Sequence, residues 1–311
     1  MKVVFMGTPE FAAEHLKVLL KGPWDVVGVF SQPDKAKGRG RKLSPTPVKL
    51  VAYDNKIPVF QPKSVNKGEG FEILNSLSPD VIITVAYGKL LKKSVIELPP
   101  LGCYNVHASL LPKYRGAAPI QRALEAGELK TGITIFKIDE GMDSGPIAMA
   151  KEIEILPEDN FGTLSDKLCQ LGCEMLKEFM FDLSNEKVVL IPQNHELATY
   201  APKISKEDTI ITDFDDAQRV YNKIRAYDPV PGISVRLGAK MIKLYGALPE
   251  SREPEGKPGE IVSIGKKHMI VRCRKGAVRI SGVQFPGKKR ISPWQARAGR
   301  LIEEGLILGG R

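Results

Sequence analysis

Through its first 189 residues the chain alternates short, β-rich apolar runs with helical patterns, and this alternation is the feature that most restricts its fold. Parallel strands need long crossovers, usually helical, and such helices cover both faces of the sheet they connect. The strand runs lie at 2–6, 26–30, 58–60, 81–86, 103–107 and 133–138. Between the first two, Thr8 is placed to cap a helix that starts at Pro9, and Thr46 with Pro47 repeats the signal before a helix over 48–55. Leu164, Leu168, Leu171, Met175 and Phe179 recur at helical spacing, so 163–183 reads as a long amphipathic helix closing this part.

The texture then changes. Residues 190–205 contain two prolines and little periodicity, which reads as a linker. From 206 to 311 a helix at 217–226 is followed by five short β-like runs, at 233–237, 241–247, 259–264, 269–273 and 278–285, separated by Gly and Pro. Five such runs fit a small OB-like β-barrel of the kind that often binds nucleic acid. The expected organisation is therefore a Rossmann-like α/β domain over 1–189, a linker over 190–205 and a barrel domain over 206–311.

Charge separates the same two parts. Residues 1–205 carry 25 Lys and Arg against 24 Asp and Glu, a balance of +1; residues 206–311 carry 21 against 12, a balance of +9. Clustered cations gain affinity for a polyanion through counterion release, so the last third suits a phosphate-rich partner. No apolar run approaches the roughly 20 residues a membrane span requires, and the N-terminal segment lacks a signal-peptide pattern; the expected compartment is the cytoplasm. Four cysteines make no CxxC pair and no disulfide framework. Cys169 and Cys173 share a helix face, but no His or third Cys stands near them in sequence, so they read as core thiols.

The densest group of chemistry-bearing residues is Asn105-Val106-His107, at the end of a strand run. Alternation puts Asn105 and His107 on one face and Val106 on the other, and the carboxyl ends of strands are where open α/β sheets bind ligands. Thirty-six residues after His107 comes Asp143, within the glycine-rich acidic loop Asp139-Glu140-Gly141-Met142-Asp143-Ser144-Gly145. Taken singly, His107 reads as a buried core histidine and Asp143 as a turn residue. Together the three supply an oxyanion donor, a proton acceptor and a carboxylate to orient it, enough to move an acyl-type group to an amine without a side-chain nucleophile or a metal. A dehydrogenase reading fails because Gly7-Thr8-Pro9 lacks G-x-G-x-x-G, and a serine-hydrolase reading fails because Ser144 lacks the G-x-S-x-G elbow.

The run Asn105 to Pro112, with Tyr114-Arg115-Gly116-Ala117-Ala118-Pro119 and the loop 139–145, resembles the signature of 10-formyltetrahydrofolate-dependent formyltransferases. Met6-Gly7-Thr8-Pro9-Glu10-Phe11-Ala12, Ser31-Gln32-Pro33-Asp34 and Leu197-Ala198-Thr199-Tyr200-Ala201-Pro202-Lys203-Ile204 extend the likeness over nearly the whole chain. The resemblance implies Asn105, His107 and Asp143 as catalytic residues. It implies a folate co-substrate held by Tyr87, Gly88, Ser109, Leu110, Leu111, Pro112, Asp139, Glu140 and Gly141, and no metal. It also implies an initiator methionyl-tRNA as acceptor, used in translation initiation by a monomeric enzyme. The basic loop with Lys35, Lys37, Arg39, Arg41 and Lys42 then reaches the RNA, Arg39 standing at the key position. Lys266, Lys267, Arg272, Arg274, Lys275, Lys288, Lys289 and Arg290 are the further candidates for RNA contact. Two readings compete: a purine precursor or amino sugar as acceptor in the same chemistry, and an RNA-binding protein without catalysis. The basic loop and the +9 segment favour RNA over a small amine.

Overall fold

The computed structural model describes residues 1–37 and 42–309. Arg39 and Arg41 lie outside the described residues. The chain divides into two compact units: one built from 1–119, 131–153 and 165–201, the other from 120–130, 154–164 and 202–311.

The first unit opens with β1 (Lys2–Gly7), α1 (Glu10–Lys21) and β2 (Asp25–Phe30), followed by a short antiparallel pair, β3 (Lys35–Lys37) and β4 (Lys42–Ser44). Then come α2 (Pro47–Asp54), β5 (Val59–Phe60), α3 (Glu69–Ser76), β6 (Val81–Val85), α4 (Lys93–Ile96), β7 (Cys103–His107) and β8 (Arg115–Gly116). After α5 (Pro119–Ala126) the chain forms β9 (Lys130–Lys137), β10 (Ile147–Glu154), the long α6 (Phe161–Ser184) and β11 (Tyr200–Ala201). The main sheet runs β10-β9-β7-β6-β1-β2-β5. Its centre is parallel, as β1 pairs β2 and β6, and β6 pairs β7. Val3, Val4, Phe5 and Met6 of β1 are all fully buried, the state of a strand covered on both faces. Tyr104 of β7 packs on Phe179 of α6 with ring centroids 4.7 Å apart, so α6 covers the face of β7 opposite Asn105 and His107.

Thr46 caps α2 as expected, its hydroxyl accepting from Lys49 N at 3.3 Å. Thr8 does not cap α1. Pro9 takes the cap position without a side-chain bond, and the Thr8 hydroxyl instead accepts from Gln32 N at 3.3 Å and donates to the Tyr87 carbonyl at 3.4 Å. A tertiary partner at the strand ends has displaced the local one. The stretch 190–205 is more ordered than a linker reading suggests, since β11 pairs in parallel with β8.

The second unit continues with β12 (Ile210–Ile211), α7 (Ala217–Tyr227), β13 (Ile233–Leu237), β14 (Lys240–Glu250), β15 (Ile261–Ile264), β16 (Met269–Arg272), β17 (Ala277–Gln284), β18 (Arg290–Ile291) and α8 (Pro293–Ala298). The sheet path is β12-β13-β14-β17-β16-β15, with β18 on β17. Single bridges from Leu308 to Leu237 and from Ile307 to Glu260 then join β13 to the start of β15 through the last described residues. Buried Asp228 holds this sheet by accepting from Gly246 N at 2.7 Å and Arg290 Nη1 at 3.1 Å.

Within this unit Arg122 donates to Asp208 at 2.8 Å, and that bond holds the Asp208 carboxyl down at about 2. A carboxyl depressed in the folded state stabilises the fold above its ordinary value of 3.8 and loses that contribution as the pH falls toward about 2. Asp208→Asn should therefore flatten the acid limb of a stability-versus-pH curve between those values. The expected loss near neutrality is about 1–2 kcal/mol by denaturant unfolding, after discounting for partial exposure.

Candidate active site

Registration across β7 aims the polar side chains. Thr84 on β6 stands opposite Asn105, and Phe136 and Thr134 on β9 stand opposite Asn105 and His107. The Thr84 hydroxyl donates to Asn105 Oδ1 at 2.7 Å, which turns the Asn105 NH2 outward as a donor. His107 is buried and its Nε2 lies 2.9 Å from the Tyr114 carbonyl. A carbonyl only accepts, so Nε2 carries the hydrogen and Nδ1 is left as the site that can gain a proton. Nδ1 faces Asp143 Oδ2 at 3.7 Å.

Asp143 arrives by a route that strand order alone does not suggest. Because β9 is antiparallel to β7, with Lys137 opposite Tyr104, the loop leaves β9 beside Cys103 rather than beside His107. It folds back over the Asn105 and His107 face, and Asp143 Oδ2 accepts from Gly116 N at 2.7 Å. Asp143 and Tyr114 both hold positive φ, 49° and 59°. Left-handed backbone at non-glycine residues costs of order 1–3 kcal/mol each and gathers at functional sites. Gly116 is obligatory here: at φ 120° its added Cβ would lie 2.8 Å from the Ala201 carbonyl.

Three supporting residues carry little or no signal in the sequence. Thr134 donates to the Ser109 carbonyl at 2.7 Å and accepts from Leu111 N at 3.1 Å, tying down the turn that leads to Pro112. Thr84 was signalled as the polar member of an apolar run, Val81-Ile82-Ile83-Thr84-Val85. Gln193 had no local signal, yet its amide donates to the carbonyls of Asp143 at 2.9 Å and Gly145 at 2.7 Å. Its Oε1 accepts from buried Arg115 at 2.6 Å, and Arg115 also meets His195 Nδ1 at 3.1 Å. Gln193→Ala strands both a buried guanidinium and the loop carbonyls. We expect about 1–3 kcal/mol of lost stability by thermal or denaturant melts, with kcat falling more than KM rises.

Of the residues implied for folate, Ser109 and Leu111 are buried, the Ser109 hydroxyl donating to the Lys113 carbonyl at 2.7 Å. Asp139 Oδ1 accepts from Gly141 N at 3.0 Å and from Ser144 at 2.7 Å, so it shapes its own loop, while Glu140 and Gly141 are exposed. Tyr87 is buried with its hydroxyl unpartnered, and burial pushes its phenol up to about 12. An added Cβ at Gly88 would meet nothing within 4 Å. In the second unit Lys266, Lys267, Lys288 and Lys289 are exposed. Arg272 is tied to Glu253 at 3.0 Å and Arg290 to Asp228 at 3.1 Å, whereas Arg274 and Lys275 pair at the surface with Asp215 and Asp216.

An amide donor, an imidazole and a carboxylate gathered on one sheet face define an acyl-transfer type of site, and family models agree. Residues 1–180 match the formyl transferase model and residues 203–300 match its C-terminal domain model, so the chain belongs to the formyl transferase family. It is 67% identical over 311 residues to methionyl-tRNA formyltransferase of Kosmotoga olearia, covering 100% of both chains. It is 50% identical over 306 residues to methionyl-tRNA formyltransferase of Thermotoga maritima, covering 98% of this chain and 97% of that one. Among solved structures, an N-formyltransferase from Helicobacter canadensis superposes with a TM-score of 0.68 at 17% identity, covering 92% of this chain and 99% of that one; that likeness concerns the fold.

Proposed function

We infer that this chain transfers the formyl group of 10-formyltetrahydrofolate to the α-amino group of methionine carried on initiator tRNA, supplying formylated initiator for translation. The observation that carries the reading is the placement of His107 Nδ1 and Asp143 Oδ2 3.7 Å apart beside the outward amide of Asn105, in a chain 67% identical over its length to a methionyl-tRNA formyltransferase.

The geometry assigns each group a step. The amine attacks the formyl carbon, and the oxygen that gains charge receives a hydrogen bond from the Asn105 NH2. The new ammonium loses its proton toward Nδ1 of His107, and Asp143 stabilises the imidazolium formed. The carbon–nitrogen bond to the folate then breaks, and the departing nitrogen takes up a proton. The pterin is assigned to Tyr87, Gly88, the segment Ser109 to Pro112 and the loop Asp139 to Gly141.

The acceptor follows from charge. The excess of +9 lies in 206–311, where exposed Lys266, Lys267, Lys288 and Lys289 suit phosphates. The joined ends of its sheet support the OB-like barrel reading, and in the first unit Lys35, Lys37 and Lys42 lie on the paired strands β3 and β4. No described helix is long and apolar enough to cross a membrane. A monomer working in the cytoplasm completes the reading, with the chain divided functionally near 190–205. The deciding experiment offers the protein formyl-folate with charged initiator tRNA, charged elongator tRNA, glycinamide ribonucleotide and an amino sugar. Formylation of the initiator at the highest kcat/KM supports the assignment; preference for either small amine would reassign the acceptor.

A further inference from the structure

We propose that His15, Cys169 and Cys173 form a binding site for a thiophilic metal ion, zinc(II), that joins α1 to α6 on the face of the sheet away from the formyl-transfer residues. The sequence offers the two cysteines without a third ligand, and the fold supplies it. One ring nitrogen of His15 and the two Sγ atoms all lie within 4.8 Å of one another.

The histidine is prepared for this role. His15 is fully buried on α1, and its Nδ1 lies 2.7 Å from the Phe11 carbonyl. That carbonyl only accepts, so Nδ1 bears the hydrogen and Nε2 presents a bare lone pair. Metal-bound histidines are oriented in the same way by a donor bond from the other ring nitrogen. Nε2 is a buried polar atom with no hydrogen-bond partner. A native interior seldom leaves such an atom unsatisfied; the neighbouring Cys169 thiol, or a metal ion held together with both thiols, would satisfy it.

Room has been kept for the ring. Gly172, one residue before Cys173, faces His15: an added Cβ there would lie 2.5 Å from Nε2 and 3.5 Å from Val106 Cγ1. Val106 points away from Asn105 and His107, so the cluster sits behind the strand that carries them. Cys169 and Cys173 are one helical turn apart and half-buried, which leaves a way in for an ion and a fourth position for water. Zinc bonds of about 2.0–2.1 Å to nitrogen and about 2.3 Å to sulfur require the three atoms to draw together by small side-chain rotations. The Cys169 thiol also reaches back to α1, donating to the Phe11 carbonyl at 3.7 Å, the same carbonyl that accepts from His15. On binding, the zinc dication replaces two thiol protons, which pass to solvent, and the imidazole stays neutral; no electron is transferred.

The test uses the full chain, reduced and stripped of metal, titrated with cobalt(II) as a spectroscopic probe and then with zinc. Wild type should bind one ion per chain, develop a thiolate-to-cobalt charge-transfer band that zinc abolishes, and melt at a higher temperature with zinc than without. The double substitution Cys169→Ser with Cys173→Ser should fold with a near-unchanged metal-free melting temperature. It should weaken zinc binding by more than about 100-fold, since even an outer-shell partner of a metal ligand is worth roughly 10–100-fold. Gly172→Ala, which crowds Nε2 while keeping both thiols, should weaken binding as well. Absence of stoichiometric binding to wild type, or equal zinc affinity in the double variant, overturns the proposal, and neither result bears on formyl transfer.

Discussion

His107→Ala is expected to lower kcat for formyl transfer by about 10²–10⁴-fold, the range that a positioned general base contributes, while tRNA affinity stays unchanged. The reason is local. His107 shares the Asn105 face of its strand, with Nε2 engaged by the Tyr114 carbonyl and Nδ1 able to gain a proton. Its ring is buried against Phe136, with centroids 6.4 Å apart. Single-turnover rates with charged initiator tRNA, set beside filter-binding affinities, separate the two effects. Near-normal turnover would remove His107 from the chemistry and leave Asp143 without its proposed partner.

The second large effect belongs to Asp143→Asn. The amide that replaces the carboxylate can still accept from Gly116 N–H, now made at 2.7 Å, and Gln193 still holds the backbone carbonyls of the loop. The substitution therefore removes a charge and little else. A unit charge 3.7 Å from Nδ1 interacts with an imidazolium by about 4 kcal/mol at an effective dielectric of 20, and partial exposure reduces this. We expect kcat to fall by about 10²–10³-fold with the KM for formyl-folate little changed, measured by steady-state kinetics at fixed saturating tRNA. A selective rise in the folate KM would make Asp143 a shaper of the folate pocket instead.

Much of the first unit was legible because its strands are buried on both faces. Runs such as Val81 to Val85 can hardly be anything else, and 103–107 was placed to the residue. The helix over 163–183 was found because its apolar stripe repeats over many turns; the observed α6 is Phe161–Ser184. Elements with weaker patterns leave little signal in the sequence. β10 (Ile147–Glu154) is an edge strand with exposed residues, and α3 and α5 are only eight residues each, too short for periodicity to stand out. The helix start at Thr8 went astray because capping rules see only neighbours along the chain, while Gln32 and Tyr87 compete for the same hydroxyl from elsewhere.

The site divides along the same line. Sequence alone determined which residues share a strand face, since alternation is a property of the backbone itself: Asn105 with His107 outward, Val106 into the packing. It determined too that a glycine-loosened acidic loop would follow, and that positive charge gathers in the last third. Only the tertiary structure decided that the loop doubles back from the far end of an antiparallel neighbour to bring Asp143 to His107. The same holds for Gln193, which braces that loop from a stretch with no pattern of its own, and for His15, which completes a pair of cysteines on a distant helix. These meetings depend on packing between segments far apart in the chain. Backbone periodicity carries no information about them.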